Sequence, residues 1–446
     1  MEGIRSPVHD IVNSLWRSLQ ALGATIKPRD AERWGFAIHA ALSAAGREFH
    51  NHDHVIEILA DAGPIESVAA LYHDAVYIQV DHGPPRAMQQ ELAGLFDIAV
   101  GTYGGWRIRT EASTQTPEVL QIFGRKVGDV LTPSTGLNEL ASAMVAWRHL
   151  HGVLTHDQIV SIVAAIEQTI PFRPAPAEQL HARLTTMLGE SHSPAAIATI
   201  VKCAVRVGNL DVANFASPSA AEFLENTWKL LPESNPSLHF PMVYSVVDYR
   251  IALHRMEEFL SQLDPTRVFH GWQDEPKPDD LARLHASART NLRIAVDYLR
   301  AKLFAIAFIE AIAEATGGDV PLDYFMGGIK SLLRPQIRRI ESFFPAHAVP
   351  TKLSPVGELL IHGRAAESSF DIAPSPVAGF LYATLGEEQM QRGFLIARDM
   401  WANRIRPREF LRVFAPSAAA IARAASNLLD TRTSELQALA TELHAN

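Results

Sequence analysis

The chain has 446 residues, of which 47% are hydrophobic and 20% are charged, as in an ordinary globular protein. Its formal net charge of -9 gives no general basic footprint for nucleic acid, although small nucleotides remain compatible with it. The single cysteine, Cys203, excludes a disulfide framework and a cysteine-rich zinc ribbon. No secretory signal is evident, and the most apolar run, 303–313, is too short to cross a bilayer. We therefore expect a cytoplasmic protein without a membrane segment.

Apolar residues recur at helical spacing along most of the chain. This periodicity predicts helices over residues 8–23, 34–45, 52–62, 65–77, 138–150, 156–169, 176–188, 194–207, 220–231, 241–263 and 281–313. The helices over 52–62 and 65–77 are separated only by Gly63-Pro64, which predicts a turn between them. The pattern indicates an all-α protein.

One segment and one boundary interrupt this helical pattern. Residues 80–136 are rich in glycine and proline and contain short β-prone runs at 96–100 and 106–108, so they predict a small hairpin or a lid inserted among the helices. Prolines become frequent again towards the C-terminus. We therefore predict one domain over 1–318, including the insertion, and a helical C-terminal extension over 319–446.

Side chains that can bind a metal ion are concentrated between residues 49 and 74. They are His50, His52, Asp53, His54, His73 and Asp74. Imidazole and carboxylate together suit Zn, Fe, Mn, Ni or Mg better than a metal that prefers thiolates. Residues four apart share one face of a helix, so His50 and His54 are predicted to point into one site, with His52 on another side. The side chains of adjacent residues point in different directions on an ideal helix, so His73 and Asp74 could bind one ion only if the helix passed the ion edge-on.

Four local patterns follow one another along the chain. They are Phe49-His50-Asn51-x-x-His54, Ala69-Ala70-Leu71-Tyr72-His73-Asp74-Ala75-Val76-Tyr77, Asn138-Glu139-x-x-Ser142-Ala143 and Asp211-Val212-Ala213-Asn214. The first three resemble a bacterial branch of the HD superfamily of metal-dependent phosphohydrolases, with Phe49 in place of a tyrosine. The fourth is similar to the segment around the last metal ligand of the cyclic-nucleotide phosphodiesterases. The resemblance covers roughly residues 8–300.

The resemblance implies a fold, a site and a reaction. The fold is an HD-domain helical bundle, and the implied metal ligands are His54, His73, Asp74 and Asp211. His50 and Asp74 are the implied catalytic residues, with His50 as the general acid. The cofactor is one divalent ion of Mn, Mg, Zn, Ni or Fe, and a second ion could bridge through Asp74. The expected substrate is a small-molecule phosphate ester, with nucleotides among the candidates, and a homo-oligomer is compatible with this assignment.

Several further residues are expected to support such a site. Asp81-His82-Gly83-Pro84 is similar to the Asp-His-Pro-Gly of the phosphodiesterases but lies four positions too late. Arg173, Arg206 and Arg289 are candidates for binding the phosphate, because they lie near the matched segments. Glu139 is expected to orient the ligands or to pair with an arginine.

Two other functions remain open at this point. A di-iron oxygenase of the same superfamily would need two more histidines between His73-Asp74 and the last aspartate. The histidines in that interval include those at positions 149, 151, 156, 181 and 192. A regulatory protein could instead bind metal or nucleotide on the same fold without turnover.

Overall fold

The structure, a computed structural model of the chain, describes residues 6–99, 105–239, 243–328 and 338–445. About 69% of the chain is helical and these ranges contain only one small sheet, which confirms the predicted all-α class. None of the helices in these ranges combines the length and apolar character needed to cross a membrane. Residues 100–104 of the predicted insertion lie outside the described residues.

The helices largely follow the predicted periodicity. The first twelve are α1 (Pro7–Ala21), α2 (Pro28–Leu42), α3 (His52–Leu59), α4 (Pro64–His73), α5 (Ile78–Asp81), α6 (Gln89–Leu92), α7 (Thr110–Gln115), α8 (Pro117–Phe123), α9 (Leu137–Leu150), α10 (His156–Gln168), α11 (Pro176–Leu188) and α12 (Pro194–Asp211). They are followed by α13 (Ala220–Ser234), α14 (Val246–Gln262), α15 (Pro265–Val268), α16 (Pro278–Thr316), α17 (Leu322–Met326), α18 (Pro355–His362), α19 (Pro376–Leu385), α20 (Glu387–Trp401), α21 (Pro407–Val413), α22 (Ala415–Ala425) and α23 (Thr433–His444). Many begin with proline, whose fixed φ and missing N–H are tolerated at the first helical position.

The inserted segment contains the sheet. Strands β1 (Phe96–Ile98), β2 (Trp106–Ile108) and β3 (Val130–Leu131) are antiparallel in the order β1-β2-β3. Trp106 and Ile108 are buried whereas Arg107 between them is exposed, as the two-residue repeat of a strand requires. The hairpin predicted here is therefore present, with α7 and α8 between its second strand and β3.

The chain divides into two compact units. Unit 1 comprises Met1–Ala216 and Asp264–Ala288, and unit 2 comprises Ser217–Leu263 and Arg289–Asn446. This division differs from the boundary predicted at residue 318. The difference arises because α13, α14 and most of the long helix α16 belong with the C-terminal helices of unit 2.

The core of unit 1 is built around α4 and α10. Helix α10 packs against α12, α4 and α9, and α1 packs against α2 and α4. Every residue of α4 from Glu66 to His73 is buried, and the Tyr72 hydroxyl lies 3.0 Å from His149 Nδ1 on α9. Because α4 is enclosed through its last two turns, its C-terminal side chains lie in the interior of the unit.

Unit 2 has its own core around the second half of α16. Phe304 and Phe308 are fully buried on this helix and their rings are 5.1 Å apart. Phe410 of α21 lies 5.2 Å from Phe308, and Phe414 lies 5.1 Å from Phe304. Edge-to-face packing of these rings stabilises the C-terminal helices against α16.

Candidate metal centre

The first candidate ligand is held by the start of α3. Asn51 is the N-cap of this helix, and its side-chain oxygen accepts hydrogen bonds from the backbone N–H of Asp53 (2.8 Å) and His54 (3.4 Å). The Asn51 amide donates to the Glu48 carbonyl (2.8 Å), which fixes the turn before the helix. His50 precedes the cap, so the prediction that it shares a helix face with His54 is wrong. The two rings nevertheless lie near each other, 6.1 Å apart.

The end of α4 supplies the next two candidates. The helix ends at His73, and Asp74 is its C-cap with φ -103° and ψ 14°. This change of backbone direction brings both side chains to one point, with His73 Nε2 3.0 Å from Asp74 Oδ2. The sequence predicted that His73 and Asp74 could share an ion only if the helix passed it edge-on. Because the helix ends at His73, this orientation is not required. His73 Nδ1–H donates to the Ala70 carbonyl (2.7 Å), so in the neutral ring Nε2 carries the lone pair.

Asp211, the last residue of α12, completes the cluster. Its Oδ1 lies 3.0 Å from His54 Nε2 and 3.2 Å from His73 Nε2. His54 Nε2 is also 3.9 Å from Asp74 Oδ2, and one ligand atom from each of His54, His73 and Asp74 lies within 4.8 Å of the others. The four residues predicted as metal ligands thus meet at the ends of three helices, within unit 1 alone.

The geometry of the cluster suits a divalent ion. Two ligands at about 2.0–2.2 Å from one ion are roughly 3–3.6 Å apart. The four contacts between imidazole nitrogen and carboxylate oxygen measure 3.0, 3.0, 3.2 and 3.9 Å, so three of them lie in this range and the fourth, from His54 to Asp74, is longer. Asp74 Oδ2 is buried and has no hydrogen-bond partner among the described residues. Acceptor atoms that converge in this way need a cation or a proton between them, because their lone pairs otherwise repel.

The charges of the cluster reinforce this requirement. Burial alone would lower the pKa of His73, but Asp74 and Asp211 raise that pKa well above its ordinary value. Burial would raise the pKa of Asp74, yet His73, His50 and His54 hold it far below its usual range. Burial likewise opposes the effect of the histidines on Asp211, whose pKa is lowered to about 2. The carboxylates therefore stay ionised and favour a positive charge at the centre.

Helix α9 holds the backbone that follows the His-Asp pair. Ser142 Oγ accepts the Val76 N–H (3.0 Å), and Asn138 Oδ1 accepts the Ile78 N–H (3.0 Å). The Asn138 amide also donates to Gln79 Oε1 (2.9 Å). Asn138 and Ser142 are four apart and so lie on one face of α9. The Asn-Glu-x-x-Ser pattern therefore has a physical role, which is to fix the segment after Asp74.

Glu139 lies between these two positioning residues. Its Oε2 is buried and has no hydrogen-bond partner in the described part of the chain. Burial, followed by the charges of Asp74 and Asp211, raises the pKa of Glu139 to about 7. The charges of the two candidate ligands therefore act on this buried carboxyl group.

Arg47 supports the centre from the other side and was not identified from the sequence. It donates from Nη1 to the Asp74 carbonyl (2.7 Å) and forms two contacts with the Asp81 carboxylate, at 3.1 and 2.5 Å. Both members of this ion pair are buried. Asp81 is thus paired with Arg47, although its motif resembled a feature of two-metal sites. An arginine 27 positions before its partner gives no local signal in the sequence.

Two of the arginines considered for phosphate binding are engaged in ion pairs. Arg173 Nη1 lies 2.6 Å from Glu167 Oε1. Arg206 pairs with Glu66 of α4. The third candidate, Arg289, belongs to unit 2.

The histidines required by a di-iron centre contact other groups. Their contacts in the described structure include Tyr72 and Glu91 for His149, Trp147 for His151, Glu118 for His156, Trp272 for His181, and Asp157 for His192. None of the five belongs to the metal-ligand group found among the described residues. The ligand set for a second iron is therefore not assembled from these histidines.

Comparisons with known proteins complete this description. No family model, curated protein or solved structure matches the chain. The resemblance to the HD superfamily therefore stays a prediction.

Proposed function

We propose that unit 1 is a metal-dependent hydrolase of phosphate esters. The observation that carries the proposal is the convergence of His54, His73 and Asp74 in one buried group that could hold an ion, with Asp211 Oδ1 3.0 and 3.2 Å from the two imidazoles. A backbone carbonyl fixes the tautomer of the His73 imidazole. The residues that would hold the ion are His54, His73, Asp74 and Asp211. A divalent cation bound there supplies Lewis acidity, which polarises a phosphoryl oxygen and lowers the pKa of a coordinated water.

Glu139 is the group best suited to manage the proton of the attacking water. Its buried Oε2 lacks a partner in the described residues and can accept a hydrogen bond. In the metal-free protein, burial and the charges of Asp74 and Asp211 raise the pKa of Glu139, which favours proton uptake by this carboxylate. Asn138 and Ser142, on the same helix as Glu139, accept hydrogen bonds from the backbone of Val76 and Ile78 just after Asp74, so this helix is fixed against that segment.

His50 is the group best suited to protonate the leaving oxygen. Its ring lies 6.1 Å from the His54 ring and 4.3 Å from the Tyr77 ring, and its charge lowers the pKa of Asp74. It is therefore close to the centre without belonging to the ligand group. An imidazole has an ordinary pKa of about 6.5, so it can donate a proton to a departing alkoxide near neutral pH.

The first experiment tests metal dependence with a matched pair of variants. Chelator-treated protein is supplied with Mn²⁺, Mg²⁺, Zn²⁺, Ni²⁺ or Fe²⁺ and assayed with p-nitrophenyl phosphate, bis-p-nitrophenyl phosphate and nucleotides. His54→Gln should abolish metal binding and hydrolysis, whereas His52→Gln, two residues away and outside the cluster, should retain both. Hydrolysis that survives both chelation and His54→Gln would refute the proposal. Metal binding without hydrolysis of any ester would instead favour the regulatory alternative.

A second experiment tests the role of His50. p-Nitrophenolate leaves without needing a proton, whereas the alkoxide of an alkyl phosphate ester needs one. His50→Gln should therefore slow hydrolysis of alkyl esters by about 10²–10⁴-fold, with a much smaller effect on nitrophenyl esters. An equal loss for both leaving groups would exclude His50 as the general acid.

A further inference from the structure

Unit 2 contains a cavity that is independent of the metal centre. Its volume is about 60 Å³. Its walls come from α14, α16, α17, α19 and the loop before α19, and they include Tyr249, Ala305, Ile306, Phe370, Val377 and Ala378. Most of these side chains are apolar and buried, so the cavity is suited to a compact apolar molecule.

One part of the cavity wall is polar. Lys302, which is 6% exposed, donates from Nζ to Asp371 Oδ2 at 3.0 Å. The same oxygen accepts hydrogen bonds from Trp228 Nε1 (2.8 Å) and the Tyr249 hydroxyl (2.6 Å), and Asp371 Oδ1 accepts from the Ile372 N–H (2.9 Å). The carboxylate is therefore saturated with donors.

The ammonium group, by contrast, retains hydrogen-bonding capacity. An ammonium group has three N–H donors, and Asp371 is the hydrogen-bond acceptor of Lys302 in the described residues. The rings of Trp228, Tyr249 and Tyr298 lie 4.9, 5.5 and 6.0 Å from Nζ and stabilise its charge. A molecule in the cavity would therefore meet a hydrogen-bond donor with one oxygen partner among the described residues.

The charged groups at this wall do not favour a charged ligand. Lys302 and Arg364 carry positive charges, and Asp371, Glu225 and the wall residue Asp323 carry negative ones. A bound anion would add to this excess of negative charge, and a bound cation would lie beside the ammonium group of Lys302, which is costly in a buried site. The cavity is therefore best matched by a neutral molecule that presents one acceptor oxygen.

The volume limits the size of that molecule. One water-sized group occupies about 10–15 Å³, so a cavity of about 60 Å³ suits a small molecule of only a few non-hydrogen atoms. We propose that unit 2 binds a small neutral carbonyl compound in this cavity, with an apolar body against Ile306 and Val377 and its oxygen accepting a hydrogen bond from Lys302. Ala305 and Ala378 keep the space open, because larger side chains at these positions would fill it.

The test uses cyclopentanone as the probe and compares it with cyclopentane and cyclopentylammonium. Saturation-transfer NMR titrations of the full chain should show one saturable site for the ketone, with affinity about tenfold higher than for either comparator, because of the added hydrogen bond to a charged donor. Absence of saturable ketone binding, or equal binding of cyclopentane, would overturn the proposal.

Two variants locate the site. Ala378→Leu should abolish ketone binding by filling the cavity, whereas Ala402→Leu, at an exposed position, should leave it unchanged. If Ala378→Leu fails to fold, Ala305→Val provides the same comparison. Lys302→Met should remove the preference for ketone over cyclopentane. Ketone binding that is unchanged in the folded cavity-filling variant would refute the assignment.

Discussion

Replacement of one candidate ligand should separate a metal site from a structural ion cluster. Asp211→Asn keeps the size of the side chain but removes the negative charge that lies 3.0 Å from His54 Nε2 and 3.2 Å from His73 Nε2. If the cluster binds a divalent ion, the substitution should reduce the stabilisation that metal adds to the protein. If the cluster is only an arrangement of ion pairs, stability should fall equally with and without metal.

The expected size follows from linkage. At a free metal concentration about 100 times Kd, binding stabilises the native state by about 2.7 kcal/mol. For a domain of about 150–250 residues, this raises Tm by roughly 5–11 °C. Loss of a supporting group costs about 10–100-fold in metal affinity, and loss of a ligand should cost at least the upper value. The same metal concentration then equals Kd, so the variant should gain only about 0.4 kcal/mol and about 1–2 °C.

Scanning calorimetry of chelator-treated protein, with and without buffered Mn²⁺, measures both shifts. Asp371→Asn provides the matched control, because it removes a buried aspartate of unit 2 that accepts from Lys302. The control should lose stability but keep the full metal-induced rise in the Tm of unit 1. An equal metal-induced shift in wild type and Asp211→Asn, or no shift in wild type, would refute the metal assignment.

Three further predictions concern proton linkage and the positioning of the centre. In metal-free protein, Glu139 has a folded-state pKa of about 7, above its ordinary 4.5, so its contribution to stability should fall by up to about 3 kcal/mol as pH rises from 4.5 to above 7. The free energy of unfolding in urea, measured at pH 5 and pH 7.5, should show this loss in wild type and not in Glu139→Gln. The same pH dependence in both proteins would exclude a contribution from Glu139. Ser142→Ala leaves the buried Val76 N–H without its acceptor, so it should cost about 1–3 kcal/mol of unfolding free energy and weaken Mn²⁺ binding in titration calorimetry by about 10–100-fold. Ser161→Ala, on the outer face of α10, should change neither the free energy of unfolding nor the affinity for Mn²⁺. The pKa of Asp371 is lowered by the neighbouring ammonium and guanidinium against the effect of burial, so its stabilisation should be complete above pH 3.8 and decline as pH falls through the folded-state pKa. The difference in urea stability between wild type and Asp371→Asn should therefore narrow at pH 3, and a constant difference would contradict this reasoning.

The all-α class and most helix positions could be predicted because they depend on local periodicity. The prolines near the C-terminus proved more informative than expected, since several that were predicted to lie between helices occupy the first helical position, as at α18 and α19. The domain boundary was not predictable in the same way. Helix α16 contributes to both compact units, and no change of composition marks the residue at which it passes from one to the other.

The ligand cluster illustrates the same division between local and long-range information. The spacing of His50 and His54 suggested one helix face, but Asn51 is an N-cap residue and starts the helix after His50. An asparagine three positions before a buried histidine is a capping signal that could have corrected this. The bonds from Arg47 to Asp81 and from Ser142 to Val76 join residues 34 and 66 positions apart, and no local pattern contains them.

The candidate metal ligands lie at helix ends, and this position explains why several polar side chains of unit 1 form hydrogen bonds with backbone groups. A side chain in the middle of a helix is oriented by the helix itself, whereas one at an end depends on how the chain enters or leaves. Asn51 sets the entry to α3 before His54, while Arg47 and Ser142 hold the exit from α4 at Asp74 and Val76. None of these contacts includes a candidate ligand atom. Each of them nevertheless fixes the backbone at or near a candidate ligand. Metal affinity should therefore depend on these capping contacts nearly as strongly as on the ligands themselves.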